Sequence, residues 1–270
     1  MQDFKGRVAV VTGGGSGLGR AMALTFANQG MHIAIADVDV AAADAVAAEI
    51  RAKGVKATTA NVDVTDRAQM GAFADRVFAE LGSCDVLCNN AGVATFKPVQ
   101  NYEDRDWDWV VGVDLIGVIY GLQAFLPRMI AAKRGGHIVN TSSIAGQVPL
   151  GNITSYHTAK YAVVGLSDSL GIDLAGENIG CSVLCPGLVK TRIAQSGRNR
   201  PDRFGGPEPT AAAVNAGIEA TGYDPMHVAE LVLRAVQQNQ PYILTHPEYR
   251  PQVEARFDRI FAAYDWAERK

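Results

Sequence analysis

The sequence predicts an α/β protein in which helices cover both faces of a doubly wound, parallel, seven-stranded sheet. Short apolar runs of strand length alternate along the chain with longer stretches whose apolar residues recur at helical spacing. Such runs are typical of parallel strands, because both faces of each strand are buried. A glycine-rich turn, Thr12 to Gly19, also joins the first apolar run to the first helical stretch.

The elements follow in regular order. The apolar, β-branched run from Arg7 to Val11 predicts the first strand, and the apolar spacing from Leu18 to Gln29 predicts a helix that Gly30 ends. The other predicted strands are Met31 to Ala36, Val55 to Ala60, Asp85 to Asn89, His137 to Ser143, Cys181 to Cys185 and Pro241 to Thr245. The other predicted helices are Ala41 to Lys53, Asp66 to Leu81, the long region Asp104 to Ala132, Ser155 to Ala175, and the amphipathic stretch Gln252 to Trp266.

A single domain, residues 1–270, is expected, since no linker interrupts this alternation. The stretch from Arg192 to about Asp224 departs from the pattern and is rich in proline, glycine and arginine. A segment of that length without periodicity is typical of a lid, a binding loop or disorder. Because it follows the sixth strand, at the edge where such a sheet binds ligands, we predict a substrate lid over 192–224, with solvated arginines.

Composition restricts the partners. The formal net charge is −3 and no long block of Lys or Arg occurs, so neither nucleic acid nor an anionic membrane is expected as a partner. We find no apolar stretch approaching about 18 residues, which predicts a soluble, cytoplasmic protein without a targeting segment.

The four cysteines form two pairs with a spacing of four residues, Cys84 with Cys88 and Cys181 with Cys185. Each pair lies in a predicted buried strand, where alternation would place both thiols on one face. Packed thiols in a reducing compartment are favoured over a zinc site, and no metal is expected.

The glycine-rich turn predicts a dinucleotide site. It opens a helix whose free backbone N–H groups and dipole attract a pyrophosphate. Gly13 permits the tight turn, Gly17 lets backbone approach the phosphates, and Gly19 lets helix and strand pack closely. The turn residues expected to contact the cofactor are Gly13, Ser16, Gly17, Leu18 and Gly19.

Asp37 lies eighteen residues after Gly19, at the end of the second predicted strand. An acidic residue there is expected to bond both ribose hydroxyls and to repel a 2′-phosphate. No Lys or Arg lies between Gly14 and Ser16 or follows Asp37 closely, so NAD is expected rather than NADP. The alternative for Asp37 is a solvated carboxylate at a strand end.

Two further segments follow predicted strands. Asp63 and Val64 suit adenine, because the carboxylate can accept a hydrogen bond from the exocyclic amine while apolar neighbours pack on the ring. A helix N-terminal cap is the alternative for Asp63. The small residues Asn90, Ala91 and Gly92 let backbone pass close to the adenosine ribose.

Tyr156 and Lys160 are four residues apart on one face of a predicted helix, and Ser143 lies thirteen residues before the tyrosine. An ammonium beside a phenol favours the ionised form, which would lower the pKa of Tyr156 and make it a base nearer neutral pH. A tyrosine packed on a lysine stem could explain the pair alone. The pair with Ser143 and the glycine turn indicates a nicotinamide-dependent alcohol/ketone oxidoreductase.

These motifs resemble the short-chain dehydrogenase/reductase family, in its shorter, single-domain branch with a Rossmann-like sheet. The matching segments are Thr12 to Gly19, Asn89 to Gly92, Ser143, Tyr156, Lys160 and Pro186 to Thr191. The resemblance implies that Tyr156 takes the proton of a substrate alcohol while hydride passes to C4 of the nicotinamide. It also implies that Ser143 bonds the substrate oxygen and that Lys160 lowers the phenol pKa and holds the nicotinamide ribose.

The resemblance further assigns the loop from Pro186 to Thr191 to the nicotinamide. Within it, Pro186 and Gly187 lead to the Val189 backbone, which would meet the carboxamide, and the Thr191 hydroxyl would assist. An ordinary Pro-Gly exit from a strand is the alternative. Thr141, two residues before Ser143, either lines the site or packs in the core.

One position departs from the family pattern. Most relatives carry Asn in the long helix where this chain has Asp114, within Val113-Asp114-Leu115-Ile116-Gly117. The resemblance implies that the main-chain carbonyl at this position holds a water beside the catalytic lysine, and Asp114 keeps that carbonyl. A buried carboxylate there would either favour the charged form of Lys160 or take up a proton itself.

The lid and the C-terminal segment resemble, more loosely, family members that oxidise benzylic carbinols in lignin-type aryl ethers. A bulky hydrophobic or aromatic alcohol, or its ketone, is therefore the expected substrate. The alternatives are an NADPH-dependent ketone reductase and a non-catalytic dinucleotide-sensing protein. By the same resemblance, the apolar faces of Leu115 to Phe125 and Tyr161 to Leu170 would form the interface of a homodimer or homotetramer. His246 receives no role.

Overall fold

The sheet has seven parallel strands in the order β3-β2-β1-β4-β5-β6-β7, as seen in a computed structural model that describes residues 1–268. The strands are β1 (Val8–Thr12), β2 (His32–Asp37), β3 (Ala57–Asn61), β4 (Val86–Asn89), β5 (Gly136–Thr141), β6 (Ile179–Cys185) and β7 (Tyr242–Leu244). Every pair of neighbours runs parallel, so the predicted doubly wound sheet is confirmed.

Helices cover both faces of the sheet. They are α1 (Gly17–Asn28), α2 (Val40–Arg51), α3 (Arg67–Leu81), α4 (Asp104–Val111), α5 (Gly117–Ala132), α6 (Thr154–Asp173), α7 (Ala212–Thr221), α8 (Pro225–Gln238) and α9 (Arg250–Glu268). Side chains of α1, α2 and α8 share one apolar core with the sheet, and those of α3 and α5 share the core on the opposite face. The strand order reverses between β1 and β4, which is where ligands bind in folds of this class.

Local sequence signals explain where several helices begin and end. The side chains of Asp39, Asp66 and Asp224 accept backbone N–H groups at the first turns of α2, α3 and α8. At its other end α3 stops at Gly82, which has φ of 85°, a conformation that is costly for other residues. These caps keep the βα connections short, so the strand ends stay close together.

The long helical region from Asp104 to Ala132 is apolar enough to cross a membrane by length and composition. The expectation that no apolar stretch approaches such a length was therefore wrong. In the fold this region consists of α4, one π-helical turn (Gly112–Ile116) and α5. It contacts α3, α6 and β4, and its Phe125 and Met129 are buried. A helix that packs on a sheet can be as apolar as a membrane span, because much of its surface is covered by protein.

The four cysteines are free and buried. Burial raises the pKa of Cys88 to about 12 and that of Cys185 to about 11, which suits packed thiols. The expectation that each pair shares a face is wrong for Cys84 and Cys88, which lie in the cores on opposite faces. The reason is that β4 begins only at Val86, so strand alternation does not extend back to Cys84. Within residues 1–268 no group of three or more His, Cys, Asp or Glu side chains could hold a metal ion.

Residues 192–224 are more regular than the sequence predicted. Short 3₁₀ turns at Ile193–Asn199 and Asp202–Phe204 precede α7, which the sequence analysis missed. Helix α7 buries only Ile218 of its ten residues, so its sequence carries no apolar stripe. Contacts with the rest of the domain, rather than local pattern, hold this segment in place.

Arg200 in this segment is buried, contrary to the expectation of solvated arginines. Its Nη2 lies 2.9 Å from Asp106 Oδ1 of α4, and its Nη1 lies 2.5 Å from Glu208 Oε1. The guanidinium also lies over the ring of Trp109, 5.1 Å from the ring centre. Lys97 Nζ pairs with the second oxygen of Asp106 at 2.7 Å. This ion network ties the 192–224 segment to α4.

We expect Arg200→Met to lower the free energy of unfolding by about 2 to 3 kcal/mol, because it leaves buried Asp106 with one cationic partner fewer. The melting temperature should fall by roughly 5 to 10 °C in a thermal unfolding experiment. Arg203→Met is the matched control, since Arg203 pairs with Asp63 while 53% of its side chain is exposed. That variant should lose less than about 1 kcal/mol. Equal losses in the two variants would show that burial of Arg200 does not matter.

Candidate active site

The predicted cofactor residues line one cleft at the carboxyl ends of the strands. They are Gly13, Ser16, Gly17, Leu18, Gly19, Asp37, Asp63, Val64, Asn90, Ala91, Gly92, Thr141, Tyr156, Lys160, Pro186, Gly187, Val189 and Thr191. Ser143 lines the same cleft, and Asp114 is fully buried behind it. The structure therefore brings together residues that are spread over most of the chain.

The glycine turn forms one wall of the cleft. Gly13 has φ of 65°, and a Cβ there would lie 2.9 Å from Ala91 Cα at the end of β4. A Cβ on Gly19 would lie 2.1 Å from the carbonyl oxygen of Gly13, so only glycine lets α1 start this close to the turn. The N-cap residue of α1, Ser16, makes no side-chain cap. The first N–H groups of α1 are therefore available to an anion, which fits a dinucleotide pyrophosphate.

Asp37 and Asp63 lie at one end of this cleft. Asp37 Oδ2 accepts a hydrogen bond of 2.8 Å from the Gly15 amide, which turns the carboxylate toward the glycine turn. Asp63 accepts bonds from the Thr65 amide and hydroxyl, at 2.9 and 2.7 Å, and its other oxygen lies 2.5 Å from Arg203 Nη2. Burial raises the pKa of Asp63, but the bonds from Arg203 and Thr65 outweigh burial and lower it. Asp66, not Asp63, caps α3.

The 192–224 segment also brings cations to the cleft, which the sequence argument missed. Arg192 and Arg198 both line it. Burial and the charge of Arg192 lower the pKa of Arg198, while the carboxylates of Asp39 and Asp37 act in the opposite direction, so the Arg198 cation lies within electrostatic range of Asp37. The sequence argument considered only residues close to Asp37 along the chain. The arginine content of the segment was the only sequence signal for these cations, and it did not indicate which arginines would reach the cleft.

Tyr156, Lys160 and Ser143 form the other end of the cleft. Helix α6 places Lys160 Nζ 5.3 Å from the centre of the Tyr156 ring, and the ammonium donates to the Thr141 carbonyl at 3.0 Å. Ser143 follows β5, and its hydroxyl acts to lower the pKa of Tyr156, so the two side chains are close. The Ser143 oxygen also accepts the Ala145 amide at 3.1 Å, which fixes its position. Two hydroxyl groups and a buried cation therefore converge at this end.

Asp114 contacts Lys160 directly. It lies in the π-helical turn between α4 and α5, a feature often found at functional sites. Its Oδ2 lies 3.0 Å from Lys160 Nζ, and its Oδ1 accepts the Val93 amide at 2.8 Å. The carboxylate lies beside Lys160, as the first of the two outcomes considered requires, while its raised pKa acts in the direction of the second, uptake of a proton.

Asp114, Tyr156 and Lys160 shift one another's pKa values. Burial lowers the pKa of Lys160, but the charges of Asp114 and Tyr156 outweigh burial and raise it, so the ammonium is retained. Burial also raises the pKa of Asp114, and the Lys160 charge opposes that rise only in part. The pKa of Tyr156 is raised by burial and by Asp114, although Lys160 acts to lower it. The expectation of a lowered phenol pKa was therefore wrong, because it ignored burial and the charge of the Asp114 carboxylate.

Apolar side chains form part of the lining of the same cleft. The apolar lining residues contributed by loops, α4, the π-helical turn and the 192–224 segment are Val93, Trp109, Val113, Leu188, Ile193, Phe204 and Ile218. The Ser196 hydroxyl donates to the Ala94 carbonyl at 3.2 Å and accepts the Ala94 amide at 3.0 Å. The 192–224 segment is thus held against the loop after β4.

A dinucleotide cleft that ends in a Ser-Tyr-Lys group is characteristic of a short-chain oxidoreductase. The chain matches the short chain dehydrogenase family over residues 7–202, and it belongs to that family. It is therefore an oxidoreductase, as the motifs predicted.

Known proteins are similar along most of the chain. A C alpha-dehydrogenase of Sphingobium sp. (strain NBRC 103272 / SYK-6) is 36% identical over 266 residues, covering 96% of this chain and 87% of the relative. A short-chain dehydrogenase/reductase of Burkholderia phymatum, solved in complex with NAD, has a TM-score of 0.92 at 36% identity and 97% coverage of both chains. The apo form of LigO from Sphingobium sp. strain SYK-6 has a TM-score of 0.85 at 35% identity, covering 100% of this chain and 93% of that one.

Proposed function

We propose that the protein is an NAD-dependent dehydrogenase that interconverts a bulky hydrophobic or aromatic secondary alcohol and its ketone. The observation that carries the proposal is the Tyr156 phenol beside the buried Lys160–Asp114 pair, in the same cleft as Asp37 and the glycine turn. A dinucleotide-sensing protein without chemistry would not need these three side chains at the end of its cleft.

The side chains divide the proton chemistry among them. In alcohol oxidation the Tyr156 oxygen, as phenolate, takes the hydroxyl proton, and Ser143 donates a hydrogen bond to the substrate oxygen. Lys160 stabilises the phenolate, while Asp114 and the Thr141 carbonyl hold the ammonium in place. Bound nicotinamide supplies the hydride acceptor. In ketone reduction the Tyr156 hydroxyl returns the proton to the substrate oxygen.

The lining of the cleft supports the substrate class. The apolar residues that line the cleft suit a hydrophobic substrate, and two of them, Trp109 and Phe204, are aromatic. The relative named C alpha-dehydrogenase and the resemblance to family members that oxidise benzylic carbinols are consistent with an aryl carbinol.

Two observations bear on the cofactor in opposite directions. Asp37 lies at the end of β2 with its carboxylate fixed by Gly15, where it would repel a 2′-phosphate, and a relative has been solved with NAD. Arg198 lines the cleft within electrostatic range of Asp37, and its cation would favour a 2′-phosphate. NADPH-dependent ketone reduction is therefore the second candidate. We favour NAD because Asp37 is hydrogen-bonded directly to the glycine turn.

We expect NAD⁺ to be used with a kcat/KM at least about tenfold above that of NADP⁺, because the Asp37 carboxylate and a 2′-phosphate repel each other. The test is to screen aryl and alkyl carbinols for NADH or NADPH absorbance with both cofactors. Asp37→Ser should shrink the preference, and Arg198→Ala should weaken whatever use of NADP⁺ remains. Equal use of the two cofactors by the wild type would refute the role of Asp37. No turnover with any carbinol would count against the proposed substrate class.

We also propose that the protein is a cytoplasmic homodimer or homotetramer without a nucleic-acid or membrane partner. Half-buried apolar side chains on α5 and α6, among them Leu122 and Leu166, support a subunit interface. Helix α9 buries none of its described side chains and exposes Phe257, Ile260, Phe261, Tyr264 and Trp266. The four free thiols suit a reducing compartment. Light scattering of the purified protein measures its mass, and a monomer would refute the oligomer.

A further inference from the structure

His246 lies outside the cleft, yet its ring contacts the loop that forms one wall of it. The residue follows β7 and is buried, with 6% of its surface exposed. Its Nδ1 lies 3.0 Å from the backbone nitrogen of Gly187, and its Nε2 lies 2.9 Å from the carbonyl oxygen of Leu188. One imidazole thus bonds two consecutive residues of the loop Pro186 to Thr191.

These contacts define which ring nitrogen carries the proton. The Leu188 carbonyl can only accept, so Nε2 must donate, and Nδ1 must then accept from the Gly187 N–H. The Thr245 hydroxyl, 2.7 Å from Nδ1, can donate to the same lone pair. Neutral imidazole with its proton on Nε2 satisfies every contact. The ring is therefore held in one tautomer and one orientation.

The loop from Pro186 to Thr191 packs closely against the His246 ring. A Cβ on Gly187 would lie 2.7 Å from Cγ of His246. On its other side the imidazole stacks on Tyr223, with ring centres 3.9 Å apart and planes inclined by 21°. The Tyr223 amide also donates to the Leu188 carbonyl at 2.9 Å. Leu188 is consequently held by both His246 and Tyr223, and Gly187 is held by His246.

This loop borders the reacting end of the cleft. Its first carbonyl, that of Pro186, accepts the Ile144 amide at 2.8 Å and lies 3.5 Å from the Ser143 hydroxyl oxygen. Gly187, Leu188 and Val189 line the cleft, whereas His246 does not. A displacement of the loop would therefore change the wall beside Ser143, while Asp37 and Asp63 at the other end would be untouched.

We propose that His246 is a positioning residue, whose neutral imidazole holds the Gly187–Leu188 backbone in the place that receives the reactive half of the dinucleotide. The inference rests on the proposed function, because it assumes a dinucleotide in this cleft. It extends that proposal to a side chain that touches neither cofactor nor substrate. Replacing His246 should therefore weaken the binding of the nicotinamide half of the dinucleotide and leave the binding of the adenosine half unchanged.

The test compares His246→Phe with wild type. Phenylalanine keeps a ring against Tyr223 but removes both hydrogen bonds to the loop. Titration calorimetry should show about tenfold weaker binding of NAD⁺, and less than a twofold change for ADP, which lacks the nicotinamide half. The KM for NAD⁺ should rise more than kcat falls. His246→Gln can donate to the Leu188 carbonyl through its amide, and should recover part of the NAD⁺ affinity.

A second variant keeps the proposal testable if His246→Phe does not fold. Gly187→Ala leaves the imidazole intact but places a methyl group against it, so it should weaken NAD⁺ binding and spare ADP in the same way. Equal losses for NAD⁺ and ADP, or unchanged NAD⁺ affinity in His246→Phe, would overturn the positioning role. If wild type bound neither NAD⁺ nor ADP, the proposed function itself would fail, which is a distinguishable result.

Discussion

Tyr156→Phe is expected to lower kcat for carbinol oxidation by about 10²- to 10⁴-fold, the usual contribution of a positioned acid or base. The substitution removes only the phenolic oxygen, so the ring still packs 5.3 Å from the Lys160 ammonium. Binding of NAD⁺ should change little, because the other lining residues remain. Initial rates from NADH absorbance, together with the Kd for NAD⁺, separate the two effects.

Tyr161→Phe is the matched control for that experiment. Tyr161 follows Lys160 on α6, but its ring faces Arg256, whose guanidinium lies 5.1 Å from the ring centre. It does not line the cleft. The same loss of one hydroxyl should therefore leave kcat unchanged. A full loss of activity in both variants would indicate damage to α6, and full activity in Tyr156→Phe would remove the tyrosine from the chemistry.

Asp114→Ala should be the most destabilising single change in the site. It would leave the Lys160 ammonium, 2% exposed, with the Thr141 carbonyl as its remaining close partner. Breaking such a buried pair costs about 3 kcal/mol or more, which lowers the melting temperature by on the order of 10 °C. Asp114→Asn keeps an oxygen for Lys160 and should lose less stability and retain activity. Thermal unfolding of the three proteins measures the difference.

We also expect Asp114→Asn to change how kcat/KM for alcohol oxidation depends on pH. The Asp114 charge acts to raise the pKa of Tyr156, so an uncharged Asn should lower that pKa. Alcohol oxidation needs the phenolate, and kcat/KM rises as the pH passes the phenol pKa. The rise should therefore occur at lower pH in Asp114→Asn than in wild type. Identical pH profiles and identical melting temperatures in all three proteins would remove Asp114 from the site.

The elements with strong local signals could be predicted within a few residues. Strand β1 was expected at Arg7 to Val11 and is found at Val8–Thr12, and α3 was expected from Asp66 and begins at Arg67 after the Asp66 cap. Such elements have continuous apolar runs or defined caps. Helix α7 could not be predicted, because most of its side chains are not buried and its sequence lacks an apolar stripe.

The site was predictable as far as its residues lie in motifs. The glycine turn, Ser143, Tyr156 and Lys160 could be placed together because parallel strands end at the same edge of a sheet. Arg198 and His246 could not, since each reaches the cleft or its wall from a segment distant along the chain. Arg200 looked solvated for the same reason, because its partner Asp106 lies on α4.

The sequence alone determined the α/β class, the parallel sheet, the family and which side chains are proposed to react, because periodicity and motif spacing are local properties of the chain. Tertiary structure decided the electrostatics: it buried Tyr156 so that its pKa rises, and it paired Asp114 with Lys160. It also brought Arg198 into the lining of the cleft and the His246 ring into contact with the Gly187 amide. Burial and charge pairing depend on distances between remote segments, and only the folded chain sets those distances.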